Sequence, residues 1–314
     1  MNGKTVFVVG GSSGLGKEIS KVLASQGAHV TIFARKQELL DEAKDEIIAV
    51  RATESQRFKA VASDMSHAAT AHSTLAAQRE LPDTLYCVAG GTANELGYLM
   101  DLEPDQIERC MNNNYYSSLY PAQAVLRAWV QDDKSAGVPK SPKARSIVFV
   151  NSTASLTPIP GYLAYSAGKS AQRALADTLR LEIQRYSGPI STYSVQCVFA
   201  HNFITPTFIE EQRNKPELTK RLEGTTGDLS KIEKGFPYAE KIAPEIVANV
   251  AKGDFAIMDG RFEPQACWAV SIGSSPKRGF GIWDTILAVL MAVIFPFIRN
   301  GWEKECRGDA LKKK

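Results

Sequence analysis

Cysteine is scarce in this chain: five in 314 residues, an odd number, scattered at Cys87, Cys110, Cys197, Cys267 and Cys306 with no Cys-x-x-Cys pair. That pattern argues against a disulfide framework and a thiolate metal site, and small buried thiols in a reducing compartment are expected instead. A charge excess is also missing. The formal balance is +3, and the stretch from Arg299 onward, with six basic residues against Glu303, Glu305 and Asp309, accounts for all of it. A formally neutral body offers no basic face to nucleic acid. There is no internal repeat, no low-complexity tract, and one long apolar run, at 282–298. No secretory leader is expected ahead of the first strand, because charged Lys4 runs straight into Thr5-Val6-Phe7-Val8-Val9. A chain of this length with 44% hydrophobic residues can bury a large α/β core.

Hydrophobic periodicity divides the chain into alternating strands and helices. Strands are expected at 4–9, 29–33, 58–62, 84–88, 146–150 and 192–199, with an edge strand at 256–258. Helices are expected between them, including a long one at 104–130 and one carrying Tyr165 to about 186, with a surface loop at 131–143. Such alternation calls for a doubly wound, mostly parallel Rossmann sheet with helices on both faces. The expected organisation is a catalytic domain at 1–260, a linker at 261–281, a membrane-associating segment at 282–298 and a basic tail at 299–314. Within the first unit, 206–238 follows a strand end, is polar with Gly and Pro, and suits a substrate lid.

Two clusters carry chemistry. Gly10-Gly11-Ser12-Ser13-Gly14-Leu15-Gly16 lies between the first strand and first helix, where bare backbone and a helix N-terminus suit a pyrophosphate. The second strand ends at Phe33-Ala34-Arg35-Lys36 without the carboxylate that would take a ribose 2′-hydroxyl. Arg35 offers a planar fork to a 2′-phosphate, Lys36 a second charge, and Ser12 and Ser13 hydroxyl donors, so NADPH is favoured over NADH. Further on, Tyr165 and Lys169 stand four apart on one helix face, and Ser152 closes the strand before them. An ammonium beside a phenol favours its ionised form, and a phenol so tuned can exchange a proton with an alcohol or ketone oxygen. His201 reads as a loop residue and not a catalyst.

These motifs resemble the short-chain dehydrogenase/reductase family over roughly 4–205. The family's glycine loop matches at Gly10, Gly14 and Gly16, with Val9 in place of threonine. Cys87-Val88-Ala89-Gly90 matches its Asn-x-Ala-Gly motif without the asparagine. The resemblance implies that Asp64 contacts adenine and that Ala89 and Gly90 line the cofactor. It implies that Ser152 and Tyr165 bind the carbonyl oxygen and that Tyr165 donates the proton. Lys169 would hold the nicotinamide ribose and lower the phenol pKa, and Asn114 would anchor a water that relays protons to Lys169. The family's Pro-Gly pair after the sixth strand is replaced by Ala200-His201, followed by Thr205-Pro206, and Thr205 joins the expected cofactor contacts.

The run 282–298 has Asp284 as its single charge and is bracketed by Trp283 and Trp302. Its length is marginal for a span, so it suits a crossing, a re-entrant hairpin or an interfacial helix, or else a buried helix or dimer contact. Within the family the chain is most similar to the 3-dehydrosphinganine reductases, through Asn114-Tyr115, Tyr120-Pro121, Ala164-Tyr165-Ser166-Ala167, Thr205-Pro206 and the apolar tail. That likeness implies reduction of a long-chain sphingoid ketone with NADPH, a lipid bilayer as partner, and a catalytic domain on the cytosolic side of the endoplasmic reticulum. An apolar lid near Phe203, Phe208 and Ile209 would receive the ketone, the chain ends in a partial dilysine signal at Lys312-Lys313-Lys314, and pairing of copies through two long helices is a family trait. Two alternatives stay open: a membrane-associated reductase of steroid or retinoid ketones, and an NADPH-binding scaffold without turnover.

Overall fold

In the computed structural model, which describes residues 1–271 and 277–312 (299, 302, 303 and 305–312 by backbone alone), seven strands form one sheet in the order β3-β2-β1-β4-β5-β6-β7. They are β1 Thr5–Val9, β2 His29–Ala34, β3 Phe58–Ala62, β4 Thr84–Cys87, β5 Lys143–Ser152, β6 Ser191–Ala200 and β7 Ala256–Ile257. Each pairing between neighbours is parallel. The first six connecting helices are α1 Gly14–Ser25, α2 Gln37–Ala49, α3 Ala68–Ala76, α4 Pro104–Met111, α5 Ser117–Ser135 and α6 Leu163–Glu182. After β6 come α7 Pro206–Asn214, α8 Glu217–Glu223 and α9 Leu229–Gly235. They are followed by α10 Ala239–Lys252, α11 Phe262–Val270 and α12 Ile282–Lys312.

Period-two side-chain alternation explains the layers. Phe7 and Val9 of β1 face one way, into a core with Leu75 of α3, Trp129 of α5 and Leu179 of α6. Val6 and Val8 face the other way, against Ile19 and Leu23 of α1, Leu40 and Ile47 of α2 and Ile246 of α10. A sheet covered on both faces needs near-continuous apolar strands, which is what β1 and β4 are. Strand order reverses at β1, so a crevice opens beyond the carboxyl ends of β1 and β4.

Several local expectations are revised. The long helix expected at 104–130 is broken by a π-helical turn at Asn112–Tyr116 and runs on to Ser135, so the loop expected at 131–143 is shorter at both ends. The polar segment 206–238 folds as α7, α8 and α9, separated by Pro216 and by the left-handed Gly224. The expected linker holds α11, whose Trp268 is fully buried in the main core beside Phe199.

The apolar run begins α12, and no helix among the described residues is long and apolar enough to cross a membrane. One side of α12 is fastened to the domain. Leu287 and Met291 pack on Ala266 and Ala269 of α11. Asp284, read from sequence as a stray charge in an apolar run, is buried. It accepts hydrogen bonds from the backbone N–H of Arg278 at 2.7 Å, from Arg278 Nε at 2.8 Å and from Trp268 Nε1 at 3.4 Å. The opposite side, with Ile286, Val289, Val293 and Phe297, is exposed. Lys313 and Lys314 and the side chains of Trp302, Cys306 and Lys312 lie outside the described residues.

Replacing Asp284 with alanine should therefore unfasten α12 while the sheet stays folded. Loss of charge-assisted hydrogen bonds should cost about 1.5–3 kcal/mol locally. Limited proteolysis should cut between α11 and α12 faster in the variant, while strand amides keep their hydrogen-exchange protection.

Candidate active site

A cleft of about 900 Å³ occupies the crevice beyond β1 and β4. It is lined by Gly10, Ser12, Ser13, Gly14, Leu15, Gly16, Arg35, Lys36, Asp64, Ala89, Gly90, Ser152, Tyr165, Lys169 and Thr205, which is every expected site residue except Asn114.

At one end the chain turns out of β1 at Gly10, which has a φ of +87°, and a Cβ there would stand 2.5 Å from the backbone N of Ala89. At Gly16 a Cβ would stand 2.1 Å from the Gly10 carbonyl, so only glycine lets α1 approach the sheet this closely. Ser13 takes the N-cap position of α1 without making a side-chain capping bond, and no acidic residue occupies the first helical turn. These features fit a dinucleotide phosphate at the positive end of the helix. Beside it, Arg35 and Lys36 are exposed at the cleft rim, with Arg35 Nη1 donating to Asn113 Oδ1 at 3.1 Å. Against the upward push of burial, hydrogen bonds from Ser66 hold the Asp64 carboxyl below its ordinary range. Thr205 caps α7, accepting from Phe208 N at 3.0 Å, and its methyl faces Gly14.

At the other end β5 and α6 converge. Lys169 is almost fully buried and donates from Nζ to the Val150 carbonyl at 2.9 Å. Asn151 donates in return to the Lys169 carbonyl at 2.8 Å, so strand end and helix are tied in both directions. Gln172, bonded to Asn151 and Ser118, extends this buried polar network. Ser152 Oγ accepts from Ala154 N at 3.1 Å, which caps a short turn and leaves its own hydrogen to donate. The Lys169 ammonium lies 5.9 Å from the Tyr165 ring centroid.

The expected electrostatics are corrected here. Lysine was expected to lower the phenol pKa, but burial pushes Tyr165 well above its ordinary range and outweighs the Ser152 hydrogen bond. Burial also brings Lys169 down to about 8. Tyr165 is thus a neutral phenol at neutral pH, which is the protonation state of an acid.

Asn114 stands behind the cleft wall, next to Lys169. It is fully buried within the π turn and does not line the cleft. Its Oδ1 accepts from Gly91 N at 3.0 Å, while Nδ2 donates to the Gly91 and Cys110 carbonyls at 2.9 and 3.0 Å. A Cβ on Gly90 would stand 2.7 Å from Asn114 Oδ1 and 3.0 Å from Lys169 Nζ. Asn114 thus positions the loop that carries Ala89 and Gly90. The segment expected as a lid is also less apolar than expected: Phe203 and Phe208 line the cleft, but Ile209 packs with Ile204, Phe208 and Ile232, and Glu211 and Glu223 reach the cleft instead. Tyr162, Thr92 and Glu95 are further cleft residues missed from sequence. Glu211 alone had a signal in the sequence, its i,i+4 pairing with Lys215. Cys87, Cys110 and Cys197 are free and buried, as expected.

Residues 4–214 match the family model described as short chain dehydrogenase. The chain is 30% identical to the 3-ketodihydrosphingosine reductase ksrA of Aspergillus fumigatus, over 94% of this chain and 81% of that protein. It is 29% identical to the 3-dehydrosphinganine reductase of Danio rerio, over 100% of this chain and 88% of that one. Among solved structures, a levodione reductase matches with a TM-score of 0.67 at 16% identity, covering 82% of this chain and 96% of that one. A short-chain dehydrogenase from Sphingobium yanoikuyae in complex with NADPH matches with a TM-score of 0.65 at 17% identity, covering 93% and 94%. At these identities the structures support the fold alone.

The depressed Lys169 makes stability depend on pH in a defined direction. Below about pH 8 the buried amine is charged at a desolvation cost; above it the native state sheds the proton while the unfolded chain keeps it up to about 10.5. Relative to Lys169→Met, the protein should gain about 2 kcal/mol between pH 8 and 10. Urea unfolding at both pH values checks this, and a constant difference would contradict it.

Proposed function

Because the chain belongs to the short chain dehydrogenase family, we propose that it reduces the 3-keto group of 3-dehydrosphinganine to sphinganine with NADPH in sphingolipid synthesis. The carrying observation is one cleft with Ser152, Tyr165 and Lys169 at one end and the glycine loop with Arg35 and Lys36 at the other. The names of relatives matched over most of the chain support the sphingoid ketone.

A reduced nicotinamide in this cleft supplies the hydride. The protein's own part is electrostatic. Charge grows on the ketone oxygen as its carbon is reduced, and Ser152 and Tyr165 aim hydrogens at it. Tyr165, neutral beforehand, gives up its proton, and the Lys169 ammonium then faces the phenolate charge in a dry site where that attraction is strong. Arg35 and Lys36 offer a fork and a point charge to a 2′-phosphate, which supports NADPH over NADH. Asn114 serves by holding Gly91, and through it the cofactor-side loop.

We further propose that the protein works at a bilayer, on the cytosolic face of the endoplasmic reticulum, with α12 lying in the interface. Its exposed row of Ile286, Val289, Val293 and Phe297, with Trp283 at one end, has the composition of an interfacial helix. Because α12 also touches α8 of the lid, a lipid ketone would leave the membrane beside the cleft. A homo-oligomer belongs to the same proposal, through the outer side of α5 and α6, where Leu126, Val130 and Leu175 line an open groove.

Purified protein given 3-dehydrosphinganine should oxidise NADPH, followed by loss of reduced nicotinamide absorbance. Turnover of steroid or retinoid ketones alone would reassign the substrate. Arg35→Ala should raise KM for NADPH about 10–100-fold and leave NADH little changed; equal losses would remove Arg35 from the 2′-phosphate site. In vesicle co-sedimentation, Val289→Asp with Phe297→Asp should weaken binding at least about tenfold, and unaltered binding would take α12 off the membrane.

A further inference from the structure

The substrate end of the cleft carries more negative charge than carbonyl reduction requires. Three carboxylates line it: Glu95 on the loop after β4, Glu211 on α7 and Glu223 at the end of α8, all largely buried. Among the described residues one buried cation, Lys215, answers two of them, at 2.8 Å from Glu211 and in contact with Glu223. Glu95 has little to satisfy it beyond a 3.3 Å hydrogen bond from the backbone N–H of Asn94.

The Tyr162 hydroxyl lies 2.5 Å from Glu211 and 2.9 Å from Glu223, yet it owns a single hydrogen. A proton on one of the two carboxyls would serve the second contact, and burial does push Glu211 above its ordinary range. The cluster is short of positive charge. The other cations lining the cleft do not supply it, since Arg35 and Lys36 stand at the dinucleotide end and Lys169 is bound to Val150.

A separate observation points to a ligand. Thr92, at 2% exposure, is among the residues of the same cleft, and its buried hydroxyl has no hydrogen-bond partner. A buried hydroxyl left unpaired costs about 1–3 kcal/mol, a cost relieved when a polar ligand arrives.

We propose that Glu95, Glu211 and Glu223 form a specificity site for a protonated amine on the carbon next to the ketone. This rests on the sphingoid-ketone reading of the same cleft. The geometry suits it, because the Tyr162 ring lies 5.8 Å from that of Tyr165, so the acidic cluster borders the place where the carbonyl must sit. An ammonium there, together with Lys215 and one carboxyl proton, balances the three carboxylates. A ketone without the amine leaves buried carboxylates uncompensated, and sites built around a polar group reject analogues lacking it far more strongly than apolar pockets reject a missing methylene.

The test uses the full chain in lipid vesicles with NADPH and two ketones of equal chain length: 3-dehydrosphinganine, and a 1-hydroxy-3-ketone without the amine. The unaltered protein should favour the aminated ketone in kcat/KM by at least about a hundredfold, and Glu95→Gln and Glu223→Gln should each shrink that preference at least about tenfold, mainly through KM. If one variant fails to fold, the other decides. Equal use of both ketones by the unaltered protein, or an undiminished preference in the variants, would overturn the amine site while leaving the reductase reading in place. Turnover of neither ketone would sink the reductase reading, and the amine site with it.

Discussion

A lysine ammonium taken out of water and hung on a single strand carbonyl organises this protein. Lys169 reaches Val150 at the end of β5, and Asn151 from the same strand returns a bond to the Lys169 backbone. That reciprocal tie sets the register between strand and helix, and register is what brings Ser152 and Tyr165 to one place. Gly90 is bare because Asn114 and Lys169 occupy the space its side chain would need, so the cofactor-side loop is shaped around the same ammonium. Changing any one of these groups disturbs several others.

Charge along the cleft is graded. Arg35 and Lys36 make one end positive, Glu95, Glu211 and Glu223 make the other negative, and a neutral phenol stands between them. The buried contacts of α7 and α8 are partly ionic: Lys215 pairs with Glu211 and Glu223 and sits 5.2 Å from the ring centroids of both Tyr162 and Phe208, joining these helices to the start of α6. These ion pairs around an aromatic cluster put buried charge beside the cleft. Such an arrangement discriminates between ligands by charge more sharply than an oily pocket would.

The C-terminal helix has two sides with different duties. Asp284, Leu287 and Met291 hold it to α11, and the other side is left apolar and open. A segment read from its composition as a separate lipid element is therefore half a structural helix. The same reading treated 261–281 as a linker, because a nine-residue helix with one buried tryptophan has too little periodicity to stand out.

What could be read before folding was local. Strand and helix periods, the glycine loop, the carboxylate-free end of β2 and the Tyr-x-x-x-Lys spacing each lie within a few residues, and short-range geometry makes their meaning almost independent of context. By themselves these pointed to the doubly wound sheet that the structure has, and to a candidate nucleotide end and a candidate proton donor. Whether Tyr165 is acidified or kept neutral, which way Asn114 points, and which carboxylates meet at the substrate end were decided by packing. Glu95 and Glu223 are far apart along the chain, and only the closing of α7 and α8 over the sheet sets them in one cleft. Burial then decided the charges, since desolvation depends on everything that surrounds a group and on nothing that its sequence neighbours reveal.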